Sequence, residues 1–394
     1  MAGALDGLRV LDLSRVLAGP SCTQLLGDLG AEIIKIENPR TGGDDTRSWG
    51  PPYVADGDGQ PSDLSTYFMS ANRNKLSVSA DLKSVEGRDL IHALAATSDV
   101  LIENFKPGGL TKYALDYDAV SKEHPHLVYV SISGFGHTGP NSGLPGYDIM
   151  AQGYGGLMSL TGAPDGEPTK AGMAIADIMA GMYAAVGTLA ALRHREKTGK
   201  GQHVDVSLVD AQMAWLYNEG VSYLNTGEVP IRRGNGHANI VPYQVFETSD
   251  GHVIIAIGND SQFAHFAEFL GRSELASDPR FDTNPKRLEN RDALLAILRG
   301  LISEHTVADV VAGCGARNVP AGPVNTLDQV YASDQAEARN MVVEMPSPVA
   351  PGQTVKLLGN PLKMSATPPT YRRPPPSFGQ DTDTVLRRFR SDPD

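Results

Sequence analysis

The chain has 394 residues, 41% of them hydrophobic and 20% charged, with a formal net charge of −12. That length exceeds one ordinary core and sets two domains as the expectation, and the acidic balance argues against nucleic acid as the main partner. Two cysteines far apart, Cys22 and Cys314, leave no disulfide framework and no cysteine metal cluster, which suits a reducing compartment. The opening MAGALDGLRV lacks a basic region followed by a long apolar stretch, so no export signal and a cytoplasmic location are expected.

Residues 8–13 read as a buried strand. Ala18-Gly19-Pro20 breaks it, and Pro20 suits the first turn of a helix that runs to about residue 29. Gly30 ends that helix, and 31–36 reads as a second strand. Further strands are expected at 100–103, 127–133 and 202–208, with a helix over 86–96, and Asn72-Arg73-Asn74-Lys75 stands just before another strand. Alternating helices and strands imply a mainly parallel sheet covered on both faces, an α/β domain. The middle of the chain changes character. A Gly-bearing segment at 232–244 leads to a hairpin around Ser249-Asp250-Gly251 and a strand at 253–257. Helical patterns follow at 261–270, 291–302 and 307–313, reading as a smaller α+β domain. Residues 356–358 and 361–364 are short strand candidates. The Pro-rich run ATPPTYRRPPPSFG reads as an extended strap before a last helix at 382–389. No internal repeat is visible.

Between Ala171 and Leu192 the only charged residue is Asp177. A carboxylate in such surroundings must be hydrogen-bonded, paired, neutralised or used. Helix N-capping is the common use of an Asp ahead of an apolar run, and a buried helix packed through Gly172, Ala176, Ala180 and Gly181 fits the same residues. A membrane span has the right length, but the run is rich in Ala and Gly, and a mid-span Asp costs about 2.5–3.5 kcal/mol on insertion scales. Other candidates are weaker. The first strand–helix turn, SRVLAGP, lacks the GxGxxG glycines of a dinucleotide site, although Glu37 stands where such folds place a ribose-binding acid. The 72–75 run and the Gly-rich turn between Arg40 and Arg47 could clamp an anion, with ordinary ion pairing the competing reading. Gly234-Asn235-Gly236-His237 could be a loop that closes over a site.

These stretches together resemble the class III CoA-transferases, the family that includes formyl-CoA transferase, carnitine CoA-transferase and α-methylacyl-CoA racemase. The resemblance is carried by VLDLSRVLAGP (10–20), LGAEIIKIENP (29–39), GDDTRSWGPP (43–52), NRNKLSV (72–78), DVLIENFKPG (99–108), GYD (146–148), the Asp177 run, KTGKGQHVDVSLVDA (197–211), the Gly-rich 234–237 and VPAGPVN (319–325), in order over nearly the whole chain. It implies a Rossmann-like large domain built from both chain ends, and a smaller α+β domain. The segments are 1–205, a linker 206–228, the small domain 229–325, a linker 326–345 and the return 346–394. Two such chains would thread through one another as an interlocked, ring-like homodimer.

By the same resemblance Asp177 is the nucleophile, taking an acyl group from acyl-CoA as an anhydride and then carrying CoA as a thioester. Coenzyme A enters as substrate, with no tightly bound cofactor, no metal, no nucleic acid and no membrane. Tyr147, Asp148, Gly234 and Gly236 support the chemistry. Val16, Leu17 and Ala18 line the thioester end, Lys75, Asn104 and Phe105 hold pantetheine and phosphates, Lys112 takes a phosphate role and Arg40 the adenine end. Leu17 replaces a Gln of formyl-CoA transferase, which argues against an oxalate-tailored site.

Racemisation of an α-methylacyl-CoA needs an acid–base pair, and the position that carries His in that branch is Tyr147, a poor base at neutral pH. Transfer is therefore preferred over racemisation. A non-catalytic CoA-binding protein would leave Asp177 a cap. The branch most resembled uses succinyl-CoA and glutarate, through GDDTRSWGPP, GNGHANIVPYQ and GNDSQF (258–263). A C4–C6 dicarboxylate acceptor requires a cation for its distal carboxylate. Arg47, Arg73 and His237 are the candidates, with Arg15 and Arg233 behind them.

Overall fold

The structure, a computed structural model, describes residues 3–391. The chain divides into two compact units. The larger takes residues up to 157, 170–228 and 334 onward, and the smaller takes 158–169 and 229–333.

The larger unit is built on six strands: β1 (Arg9–Asp12), β2 (Glu32–Glu37), β3 (Lys75–Ser79), β4 (Val100–Glu103), β5 (Val128–Ser133) and β6 (His203–Ser207). Their order is β3-β2-β1-β4-β5-β6, and every neighbouring pair is parallel. The runs VLIE and VYVSIS are buried along their whole length, as expected of strands covered on both faces. One face packs Val10, Ile33, Val130 and Ile132 under two helices, α1 (Ala18–Asp28) and a 24-residue helix introduced below; the other packs Leu11, Ile34, Leu101 and Tyr129 under α2 (Val85–Ala96). The chain reverses its direction of travel across the sheet between β1 and β4. In such sheets the loops leaving the strand C-termini part at that point and open a crevice.

Three further helices complete the site's frame: α3 (Asp148–Tyr154), α4 (Ile175–Thr198) and α5 (Leu208–Ala214). By length and mean hydropathy (1.6) α4 could cross a membrane, but Ala176, Met179, Ala180, Ala184 and Ala191 are buried in the sheet's core. It lies close on α1 because residue 181 is Gly: a Cβ there would stand 2.3 Å from Ser21 Oγ and 2.6 Å from the Ala18 carbonyl oxygen. Gly172, expected in the same packing, faces open space.

The Pro-rich strap runs back over the larger unit. Thr370 N–H donates to Asp28 O (2.8 Å) and Asn74 N–H to Arg373 O (2.9 Å). The Arg372 guanidinium donates to the carbonyls of Gly27, Gly30 and Ala31, so a side chain 341 to 345 positions later covers the end of α1. The last helix, α10 (Thr382–Ser391), follows where Asp381 and Ser77 exchange hydrogen bonds. Residues 361–364, a strand candidate, are irregular. Asn360 N–H donates to the Tyr371 hydroxyl and Leu362 N–H to Asn360 Oδ1, which makes a turn in place of a ladder. A hairpin of Tyr53–Ala55 with Pro61–Ser65, not expected from the sequence, carries the chain toward β3.

The smaller unit is α+β. Strands β7 (Tyr243–Glu247), β8 (His252–Ala256) and β9 (Ala321–Pro323) form an antiparallel sheet with β8 central. It packs Phe246, Val253 and Ile255 against α7 (Asp260–Phe269), α8 (Arg291–Ile302) and α9 (Val307–Gly315); between α5 and α7 the larger unit adds α6 (Tyr217–Thr226).

Arg73 and Asn74, read from the sequence as an anion clamp, hold the strap instead. Arg73 grips Asp28 bidentately (2.9 and 2.6 Å) and donates to Leu358 O, while Asn74 and Asn360 donate to the same carboxylate. Removing one partner of a buried pair strands the other's charge. Arg73→Met is therefore expected to lower stability by about 3–5 kcal/mol, read as a falling urea midpoint. A variant with an unchanged midpoint and a raised substrate KM would return Arg73 to substrate binding.

Candidate active site

A cavity of about 220 Å³ opens at the C-terminal ends of the strands, at the reversal point of the sheet. Val16, Leu17 and Ala18 come to it from the β1–α1 loop, Asn104, Phe105 and Lys106 from the loop after β4, Tyr147 from the approach to α3, and Asp177 from the first turn of α4. Two of these loops leave separate strands, and two helix N-termini bring Tyr147 and Asp177 to the same place.

The β1–α1 loop is fixed by buried charge. Asp12 accepts from Ser14 N–H, Ser14 Oγ and Thr23 Oγ1, with Lys75 Nζ 3.3 Å away. Lys35 Nζ reaches Ser14 O (2.9 Å) and Asp44 Oδ2 (2.8 Å). Asp44 in turn receives Thr46 N–H, Thr46 Oγ1 and, at 3.2 Å, Val16 N–H. Burial would raise the Asp44 carboxyl, but Lys35 and the Thr46 donors outweigh it and hold its pKa near 2. The loop needs that grip because Val16 has φ 70°, a left-handed conformation that a β-branched side chain resists.

Asp177 is the third residue of α4, and Ala174 is the cap position, so the N-cap reading of Asp177 fails. Capping falls to Asp148 at the start of α3. Its Oδ1 accepts Ala176 N–H (2.8 Å) and its Oδ2 accepts Gln152 Nε2 (2.6 Å), while Gln152 Oε1 takes Ala171 N–H. Asp177 is thereby left without a hydrogen bond or ion pair among the described residues. Burial, with the Asp148 charge adding to it, lifts the Asp177 carboxyl to about 7. It is therefore a half-protonated, unpartnered carboxyl facing a cavity at neutral pH.

Of the sequence-derived candidates, Val16, Leu17, Ala18, Asn104, Phe105, Tyr147 and Asp177 line the cavity, and Asp148 adjoins it. Asn104 also pins the loop, its amide exchanging hydrogen bonds with the Arg15 backbone. Others are corrected. Lys75, expected on CoA, is fully buried; burial outweighs its partners and lowers its pKa to about 8, and Asp12, Pro20 O and Asn72 take its donors. Arg47, expected on a substrate carboxylate, grips Glu37 bidentately (2.8 and 2.7 Å) and lies over the Phe68 ring. That pairing also removes Glu37 from any ribose. Arg40 pairs with Asp81, and Lys112 is exposed above its own neighbour Tyr113; neither lines the cavity. Gly234, Gly236 and His237 lie in the smaller unit.

Sequence reasoning missed Lys106 and Tyr67. Lys106 lines the cavity, as does Arg15, which pairs with Asp45 at 2.7 Å; Lys106 is a cation that suits an anionic ligand. Burial and the charges of Asp177, Asp148 and Asp44 push the Tyr67 phenol up, and its ring meets Trp49 edge-on at 5.1 Å; it does not line the cavity. No periodicity marks Tyr67. The unexpected hairpin delivers it.

A model described as CoA-transferase family III matches residues 5–382, and the chain belongs to that family. It is 44% identical over 387 residues to a succinate–glutarate CoA-transferase of Agrobacterium fabrum, covering 98% of this chain and 96% of that protein. It is 40% identical to a succinyl-CoA:glutarate CoA-transferase of Mus musculus, covering 97% and 86%. A crystal structure of a CaiB/BaiF family protein from Brucella suis superposes with a TM-score of 0.88 at 44% identity, covering 99% of this chain and all of that one. The chain is thus a CoA-transferase, using CoA thioesters as substrates.

A carboxyl raised in the folded state binds its proton more tightly there than in the unfolded chain. Its ionisation costs nothing below the unfolded value and destabilises increasingly up to about pH 7, after which the cost is constant. Asp177→Asn is therefore expected to stabilise the fold at pH 8 by about 2–4 kcal/mol and to leave it unchanged near pH 3.5. Urea midpoints at the two pH values check this, and equal shifts at both would refute the raised carboxyl.

Proposed function

We propose that this CoA-transferase moves CoA from succinyl-CoA to a C4–C6 dicarboxylate, glutarate first, with Asp177 as nucleophile. The observation that carries the reading is the unpartnered Asp177 carboxyl in the wall of the switch-point cavity. The donor and acceptor follow the names of the relatives.

The chemistry exchanges groups of similar energy and needs no external activation. An Asp177 oxygen attacks the succinyl thioester carbonyl and expels CoA thiolate, leaving a succinyl–aspartyl anhydride. The thiolate attacks the aspartyl carbonyl and releases succinate, leaving an aspartyl-CoA thioester. A glutarate carboxylate attacks that thioester and again expels thiolate. The thiolate attacks the glutaryl carbonyl, yielding glutaryl-CoA and the free carboxylate of Asp177. A carboxylate freed of solvent and of protein partners is a better nucleophile than one that is paired. Asp148, already accepting two hydrogen bonds, is not a free base, which weighs against racemisation.

A homodimer belongs to the same proposal, in the interlocked form that the resemblance implies. Met182, Tyr183, Val186 and Leu189 on α4, with Trp215 beyond α5 and Val221 and Leu224 on α6, are exposed. Apolar surface this extensive marks a contact with another chain, and a second copy is the partner proposed. Sedimentation of the wild type is expected to give a dimer, and Val186→Glu with Leu224→Glu a monomer. A monomeric wild type would remove the dimer from the proposal.

Asp177→Ala is expected to abolish transfer while CoA still binds. Mass spectrometry of a quenched wild-type reaction is expected to find the acyl or CoA adduct on Asp177. An adduct on another residue, or robust turnover by the variant, would overturn the assignment.

A further inference from the structure

The smaller unit contains a cavity of about 720 Å³ that none of the chemistry above uses. Arg291, Leu295 and Arg299 reach it from α8 at i, i+4 and i+8, one side of the helix. Arg233 reaches it from the segment ahead of the Gly234–Gly236 turn, and Val245 and Leu288 add apolar wall. Arg291 donates to the carbonyls of His237 (2.9 Å) and Ala238 (3.1 Å), which orient the guanidinium without neutralising it. Burial, and then the like charge of Arg233, lowers its pKa, against the opposing charge of Asp292. Arg299 is exposed, and its side chain makes no hydrogen bond or ion pair among the described residues. The cavity is thus a cationic pocket, with Asp292 its one lining acid, in a chain of net charge −12.

The lining narrows the ligand. Guanidinium forks match carboxylates in a bidentate fashion, and the Leu and Val wall suits methylenes. No aromatic side chain lines the cavity to stack a base. We propose that this cavity binds a small aliphatic dicarboxylate, with Arg291 and Arg299 taking one carboxylate, Arg233 the other and the apolar wall its methylenes. This rests on the dicarboxylate reading above; Arg47 and Arg73 are already held by Glu37 and Asp28.

The test is calorimetric titration of the full-length protein with glutarate, with valerate as the same chain lacking one charge, and with inorganic phosphate. Glutarate is expected to bind at least about tenfold more tightly than either of the others, since a charged hydrogen bond is lost in each comparison. Arg291→Met and Arg299→Met are each expected to weaken glutarate binding at least about tenfold and to leave CoA binding unchanged. Arg299 is exposed, so its replacement leaves the fold intact. Glutarate binding unaffected by both variants overturns the site while leaving the transferase reading intact. Phosphate binding more tightly than glutarate, and lost in the variants, overturns it in favour of a phosphate site. Arginine-dependent glutarate binding in a protein without transferase turnover supports the site and removes the functional reading instead.

Discussion

The larger unit depends on a run of opposite charges buried at the C-terminal edge of its sheet. Asp12 with Lys75, Lys35 with Asp44 and Glu37 with Arg47 form three ion pairs, all inaccessible or nearly so. Buried ions are tolerated when each is paired and hydrogen-bonded, and each of these is. Their effect is positional. Asp44 reaches across from the loop after β2 to take the Val16 N–H, and Lys35 takes the Ser14 carbonyl. The loop that lines the cavity is therefore held from beneath by side chains of β2 and its following loop. This lets it keep a left-handed valine at the site.

Asp177 is reactive by arrangement rather than by type. The helix it belongs to begins with free N–H groups that attract a carboxylate, and a local Asp ordinarily caps them. Here Asp148, from a separate helix, takes Ala176 N–H. One carboxylate does the structural task, so the other remains without a partner. The Asp148 charge and burial then keep the Asp177 carboxyl near 7 rather than in the usual carboxylate range. Two acids of the same chemistry differ because their partners differ.

Much of this was legible in the chain. The strands over 100–103 and 127–133 and the helix over 291–302 are found where the apolar runs and periodicity put them, to within a residue. Continuous burial on both faces leaves a strong signal. The cavity-lining residues 16–18, 104–105 and 177 were accessible through the family resemblance, because loops at strand ends keep their place when the sheet does. The basic residues were not. Lys75, Arg47 and Arg73 look like ligands for anions in a linear reading, since Asp12, Glu37 and Asp28 lie 63, 10 and 45 positions away. Only the fold reveals that each cation already faces a buried acid. Tyr67 escaped for the same reason, as did Asp148's role as the cap of another helix. Residues 361–364 misled because Asn360 and Tyr371 make a turn that no local propensity encodes.

The Arg372 contact bears on the order of biogenesis. The turn that ends the helix after the cavity-lining loop gives its Gly27, Gly30 and Ala31 carbonyls to Arg372, Gly27 O also accepting Gly30 N–H, and the outer edge of β3 gains hydrogen bonds from residues 373–381. A nascent chain emerging from the ribosome can assemble strands early, yet these contacts form only once residues 372–381 have been made. Premature termination upstream of the strap would yield a polypeptide with every cavity-lining residue translated, but with the end of α1 and the outer edge of β3 short of these contacts.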